Sequence, residues 1–213
     1  MSYNAARAAR PAQWPLLLAV TAAACLSIWF VRRDALNYLS LDPQRFTPYY
    51  WSRRYALLLH IGGGMLALAA GLAQFYLGLS GRTARLHRLL GRTYLVGVGA
   101  GIVGVCYLVP TFPEPIDWVY SSGLVGLAIS WAVTTALGYR HIRRGSRAGH
   151  RAWMLRSYLV TFGFVILRVI QDILMGFGLD TEHSVALAAW LSWTVPLLLA
   201  EPLLRAQRRV AQR

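Results

Sequence analysis

The chain has 213 residues, is 56% hydrophobic and 14% charged, and carries 22 basic residues, all arginine, against 8 acidic ones, a formal charge of +14. A soluble nucleic-acid binder of that charge would gather its arginines on a polar surface. Here they lie between apolar blocks of about the 20 residues that cross a bilayer core, which excludes an ordinary soluble domain and points to a membrane.

Six spans are expected in one all-α transmembrane domain covering 1–213. The first runs from about Trp14 to Val31. Small residues at Ala22 to Cys25 resemble a signal-peptide cleavage site, but the apolar run continues to Val31, as an uncleaved anchor does. Phe46 to Trp51 is an interfacial aromatic segment that Pro48 keeps out of a helix. The second span runs from about Tyr55 to Leu79, the third from Thr93 to Val109, and Pro110 to Pro115 is a tight turn. The fourth covers Trp118 to Tyr139, the fifth Trp153 to Phe177 and the sixth Val185 to Leu204. The core is about 55–177, with the first and last spans peripheral. Cys25 and Cys106 each sit in an apolar block without metal-ligand spacing and read as small buried residues.

Arginine sets the orientation. Arg82, Arg85, Arg88 and Arg92 follow the second span, and Arg140, Arg143, Arg144, Arg147 and Arg151 follow the fourth. With Arg7 and Arg10 at the head and Arg205, Arg208, Arg209 and Arg213 at the tail, they put fifteen arginines on one side. The other side has Arg32, Arg33, Arg45, Arg53 and Arg54, with Asp34, Asp42, Glu114, Asp117, Asp180 and Glu182. An excess of arginine marks the cytoplasmic side, so both termini are expected in the cytoplasm of a bacterial inner membrane. The arginine loops would meet anionic lipid headgroups; Arg32 and Arg33 would snorkel at a helix end.

Two stretches echo each other. His87-Arg88-Leu89-Leu90-Gly91-Arg92-Thr93-Tyr94 and His150-Arg151-Ala152-Trp153-Met154-Leu155-Arg156-Ser157-Tyr158 differ by one inserted residue. Each lies between two apolar runs, the pattern of a duplicated helical hairpin. A pseudo-twofold along the membrane normal would bring both histidines to a common cytoplasmic rim. Two neutral imidazoles can hold the iron of a haem b, with Arg88 and Arg151 on the propionates.

Ionisable groups inside a bilayer need a partner or a function. His60 lies about two turns into the second span. Arg168 and Asp172, four residues apart, share a helix face and are expected to pair. Ser157, Thr161, Arg168 and Asp172 draw a polar stripe toward the bundle interior, with Gln171 beside it and Gln74 deeper on the second span. His60, Arg168, Asp172 and Gln74 thus form a candidate intramembrane cluster. Gly62-Gly63-Gly64 would let a helix or a flat cofactor approach closely. His141 reads as a solvated loop residue, and His183 carries no usable signal. No phosphate loop, catalytic triad, zinc motif or carboxylate pair is visible.

The combination of His60, Gly63, Gly64 and Gln74 with His87-Arg88-x-x-Gly91-Arg92-x-Tyr94 and His150-Arg151-x-Trp153-Met154-x-Arg156-Ser157, Thr161 and Arg168 resembles a bacterial family of predicted membrane proteins catalogued as domain of unknown function 2306. The resemblance covers about Tyr55 to Asp172 and implies a helical membrane fold and no reaction. A fainter likeness is to cytochrome b561, whose four-helix core holds two haems between histidine pairs. That likeness puts His60, His87 and His150 on spans two, three and five. Asp117 to Gly126 lacks the histidine wanted opposite His60, so it implies one haem at most. Three functions are therefore expected in rank. The first is a b-type haem electron-transfer protein with His87 and His150 on the iron, which would make it a transmembrane oxidoreductase. The second is a binding or transport protein for a lipid or small anion. The third is a structural subunit without chemistry.

Overall fold

The computed structural model describes residues 14–80, 84–111 and 118–210; among these the chain is 93% helix, with no strand. Helix α1 (Trp14–Phe30) runs into a π-helical turn (Val31–Ala35) and a short α2 (Leu36–Leu39). A 3-10 turn (Pro43–Arg45) and α3 (Pro48–Ser52) lead to α4 (Arg54–Ser80), then α5 (Ala84–Leu108) and a further 3-10 turn (Val109–Thr111). The chain ends with α6 (Trp118–Arg143), α7 (Arg147–Gly176) and α8 (Thr181–Val210). Five helices are long and apolar enough to cross a membrane: Arg54–Leu77, Ala84–Leu108, Trp118–Arg143, Arg147–Gly176 and Thr181–Ala206. Helix α1 is apolar but has 17 residues. Arg7, Arg10, Arg82, Glu114, Asp117, Arg213 and most of the Pro110–Pro115 turn lie outside the described residues.

The helices overrun the apolar stretches. The third apolar stretch starts at Thr93, yet α5 starts at Ala84, with Arg85, Arg88 and Arg92 exposed along its first turns. Apolar length fixes what lipid can cover, whereas the helix runs on until a breaker or cap ends it. The caps are local: the Ser146 side chain accepts from the Gly149 amide at the start of α7, and Asp180 accepts from the His183 amide at the start of α8. Pro48 begins a helix instead of preventing one. It occupies the first turn of α3, where its missing N–H costs nothing, and Thr47 caps that turn. His141 lies in the last turn of α6 and not in a loop, while His183 bonds to Asp180.

Packing decides which apolar faces meet. Helix α4 packs along α5, α6 along α7, and α8 along both α6 and α7, while α1 rests on α4 and α7. The last span is therefore not peripheral: Ala188 and Ala189 are fully buried against α7 and α6. Cys25 and Cys106 are exposed on the outside of the bundle and not buried, since each falls on a helix face turned away from its neighbours. At the α4–α5 crossing a Cβ on Gly63 would lie 2.5 Å from the Gly101 nitrogen and 2.6 Å from the Gly97 oxygen. One on Gly97 would meet the Ala67 nitrogen at 2.7 Å, and one on Gly104 the Ala56 oxygen at 2.7 Å. These backbones touch because no side chain separates them. Gly62 and Gly64 have open space where a Cβ would go.

Only the middle glycine of the triplet should therefore be intolerant. Gly63→Ala is expected to cost about 1–3 kcal/mol by overpacking against rigid backbone. Gly62→Ala and Gly64→Ala should be neutral or stabilising by up to about 1 kcal/mol. Melting temperatures of the three variants in one detergent check this; equal effects would show that the crossing is not backbone-limited.

Candidate functional site

The bundle has two unlike ends. One is rich in arginine, where α5 and α7 begin; the other holds Asp34, Asp172 and Asp180. A cavity of about 150 Å³ lies toward the acid-bearing end between α1, α3, α4, α5, α6 and α7. It is lined mostly by apolar and aromatic side chains, among them Phe30, Trp131 and Phe164, and its polar lining is His60, Tyr50, Tyr120 and Arg168. Tyr120 and Trp131, both on α6, lie roughly 16 Å apart at 1.5 Å per residue, so the cavity runs inward from the helix end. A mostly apolar cavity with a few convergent polar groups is the usual form of a small-molecule site.

His60 reaches across the α4–α5 crossing, where Nδ1 lies 2.9 Å from the Gly101 carbonyl oxygen and therefore donates to it. Its ring packs edge-on against Phe164 at 5.3 Å. In the neutral imidazole Nε2 then carries the lone pair, the one polar function His60 can offer to an occupant. Burial pushes the Tyr50 phenol up, so it remains a protonated donor.

Arg168 and Asp172 do not pair with each other. Arg168 donates to Gln171 at 2.8 Å and its Nε lies 3.7 Å from Asp34, while Asp172 is held through both its oxygens by Arg33. Arg33 also bonds Asp34 at 3.0 Å and lies over the Trp29 ring at 4.3 Å. Two arginines and two aspartates thus close a charge-neutral bridge from the π-helical turn to α7. The turn forces this choice: its extra residue brings Arg33 and Asp34 round toward α7 at the level where α1 rests on that helix.

Below the cavity Ser157 and Thr161 of the α7 stripe turn inward, whereas Asp172 at its far end is exposed. Tyr94 Oη lies 2.6 Å from Ser157 Oγ and 2.7 Å from Thr161 Oγ1. Trp131 Nε1 donates to Thr161 at 2.8 Å, and Thr135 Oγ1 lies 2.6 Å from Ser157 Oγ. Thr161 donates to the Ser157 carbonyl at 2.9 Å. One proton per hydroxyl then fixes the whole order: Thr135 donates to Ser157, Ser157 to Tyr94 and Tyr94 to Thr161. Trp131 belongs both to this cluster and to the cavity lining.

Gln74 is not part of the cluster around His60. It donates to the His87 carbonyl at 2.9 Å, at the arginine-rich end. His87 is exposed there, within electrostatic reach of His150. His150 Nδ1 donates to the Gly138 carbonyl at 2.9 Å. Arg88 and Arg151 are exposed beside them. The same end holds an ion pair absent from the expectations. Arg156, 8% exposed, bonds Glu201 of α8 at 2.7 Å and lies over Trp153 at 4.7 Å. Sequence reasoning also missed Arg33, Asp34, Tyr50, Tyr120 and Trp131. For the Arg33-Asp34 dipeptide there was a signal, an acid and a base side by side at the end of an apolar run.

Long apolar helices packed through glycine, with a hydrogen-bonded hydroxyl cluster between them, define a multi-pass helical membrane protein. Residues 57–204 match the family described as Predicted membrane protein (DUF2306), and the chain belongs to that family. No curated protein and no solved structure matches it.

Removing the hydroxyl of Tyr94 would leave the Ser157 hydroxyl without its acceptor and Thr161 with the Trp131 indole as its one remaining donor in the cluster. Tyr94→Phe is expected to lower stability by about 1–3 kcal/mol, the penalty for buried groups left unpaired. Thermal or denaturant unfolding in detergent measures it. A loss no larger than that of Tyr76→Phe, an exposed site on α4, would deny the cluster its structural role.

Proposed function

We propose that this protein crosses the bacterial inner membrane six times, both termini in the cytoplasm, and binds a small amphipathic molecule in the outer half of the bilayer. The observation that carries this reading is the cavity between α4, α6 and α7, with His60 and Arg168 in an otherwise apolar lining. Helix α1 supplies the sixth span, extended by its π-helical turn. The arginines that weaken the charge asymmetry are engaged locally. Arg33 is in the bridge, Arg45 pairs with Asp42 at 3.4 Å, and Arg53 and Arg54 lie over Tyr49 and Trp51 at 4.5 and 4.7 Å. The arginine-rich end then meets the anionic headgroups of the cytoplasmic leaflet. The hairpins α4–α5 and α6–α7 are the two copies of a duplication, each with His-Arg near the start of its second helix. A transport role would need the occupant to leave on the far side, and the hydroxyl cluster and Trp131 stand in that path; binding is the better reading.

Ala128 lines the cavity, and Ala128→Phe should fill it. Native mass spectrometry of protein taken from its own membranes should find a bound small molecule on the parent chain. The same mass should be missing from Ala128→Phe, with helical content and melting temperature unchanged. A parent chain that carries nothing would count against the reading.

A second reading is favoured by one observation, the bond from His150 Nδ1 to Gly138, which leaves Nε2 free to ligate a metal. In it His87 and His150 hold a b-type haem, Arg88 and Arg151 face its propionates, and the haem supplies one-electron chemistry. The exposure of His87 makes this the weaker fit, since a haem needs a closed apolar slot. Reduced-minus-oxidised spectra decide it. A b-type band lost in both His87→Ala and His150→Ala would establish it, and colourless protein from haem-sufficient cells would end it.

A further inference from the structure

The class of molecule follows from what the polar groups of the cavity have left to offer, and it rests on the cavity being a binding site. Arg168 is the one cation in the lining, and it is already compensated. Arg33 and Arg168 face Asp34 and Asp172 in a bridge of zero net charge. A carboxylate or phosphate would have to compete with Asp34 for that guanidinium, inside a site that gives an ion little other solvation. Arg168 is therefore poorly placed to capture an anion and better placed to donate one hydrogen bond.

His60 makes the opposite demand. Its Nδ1–H is committed to Gly101, so the remaining ring nitrogen asks the occupant for a hydrogen. A pure acceptor such as an ether or ester oxygen leaves that lone pair unmet. Tyr50 and Arg168, at the mouth, both donate. The site thus sets the His60 acceptor nitrogen against donors on Tyr50, Tyr120 and Arg168. The walls between them are flat: Phe30, Tyr50, Tyr120, Trp131 and Phe164 supply ring faces and edges.

We propose that the cavity takes a neutral oxygenated ring of phenol or quinol type, its hydroxyl donated to His60 and a second oxygen accepting from Arg168 or Tyr50. The anionic ligand that the arginines suggest is excluded by the self-neutralised bridge. A lipid-soluble quinol head has this pattern of one hydroxyl donor and one further oxygen on a planar ring.

Three matched probes test it on the detergent-purified full chain: 4-butoxyphenol, its methyl ether 1-butoxy-4-methoxybenzene, and 4-butoxybenzoate. The phenol should bind about five- to tenfold more tightly than the methyl ether, the worth of one buried hydrogen bond. The benzoate should be weakest. In His60→Phe the phenol should fall to the affinity of the ether, and ether binding itself reports that the cavity has survived. Should that variant not fold, the phenol-to-ether ratio on the parent chain decides alone. Equal affinities for phenol and ether would overturn the hydroxyl assignment and leave the cavity reading standing. Tightest binding by the benzoate would overturn the exclusion of anions. If no probe binds, or all bind Ala128→Phe as well as the parent, the cavity reading and this proposal fall together.

Discussion

The hydroxyl cluster joining α5, α6 and α7 is the constraint on which the other features rest. In lipid a polar side chain has no water to turn to, so each must be satisfied within the bundle or not be there. Tyr94, Thr135, Ser157 and Thr161, with the Trp131 indole, meet that condition with every hydroxyl proton used and in one order only. Three helices are thereby held in one rotational setting. Trp131 is 1% exposed, and its bond to Thr161 keeps its ring at the inner end of the cavity. The cavity is a space left above a fixed floor.

The contact between α4 and α5 is of another kind. Two side-chain bonds cross it, from His60 to Gly101 and from Gln74 to the His87 carbonyl; between them glycines let two backbones touch, and the gain is dispersion over a long face. His60 rides on that face and bonds across it to Gly101, one turn from Gly104, where an added Cβ would lie 2.8 Å from that of His60. Its ring position is therefore a consequence of backbone packing. A residue bonded in this way presents the same nitrogen to the cavity whatever the loops do.

Much of this was legible in the sequence, and the losses follow a pattern. The grouping of His60 with Arg168 was readable from their places within apolar spans, and both line the cavity. The inward stripe on α7 was readable for Ser157 and Thr161, which are fully buried. Partnership was not. Four-residue spacing makes Arg168–Asp172 the natural pair on an isolated helix, but spacing within one helix says nothing about what a neighbour offers. Arg33, 139 residues earlier in the chain and within the π-helical turn, takes Asp172. A π-helical turn has no sequence signature of its own. The same blindness applies to Gly63, which adjoins two glycines of like composition and opposite environment, and to Gln74, whose height on α4 was known but not its neighbour across the hairpin.

The two ends differ in how their charges are used, and this bears on where chemistry can occur. At the arginine-rich end the buried charge is consumed: Arg156 has Glu201, the Ala152 carbonyl and the Trp153 ring. That leaves a firm join between α7 and α8 and little capacity for a ligand. At the other end the bridge is half open to its surroundings, with the Arg33 and Asp172 side chains 39% and 45% exposed. Pairs so exposed are worth about 0–1 kcal/mol, so this bridge is a weak fastening. It adds to the apolar packing that seats Phe30 and Val31, at the end of α1, against the core beside the cavity. On the binding reading proposed above, a weak closure above a rigid floor would let a molecule enter from the membrane without disturbing the helices that position His60, and would confine any rearrangement on binding to α1 and its π-helical turn.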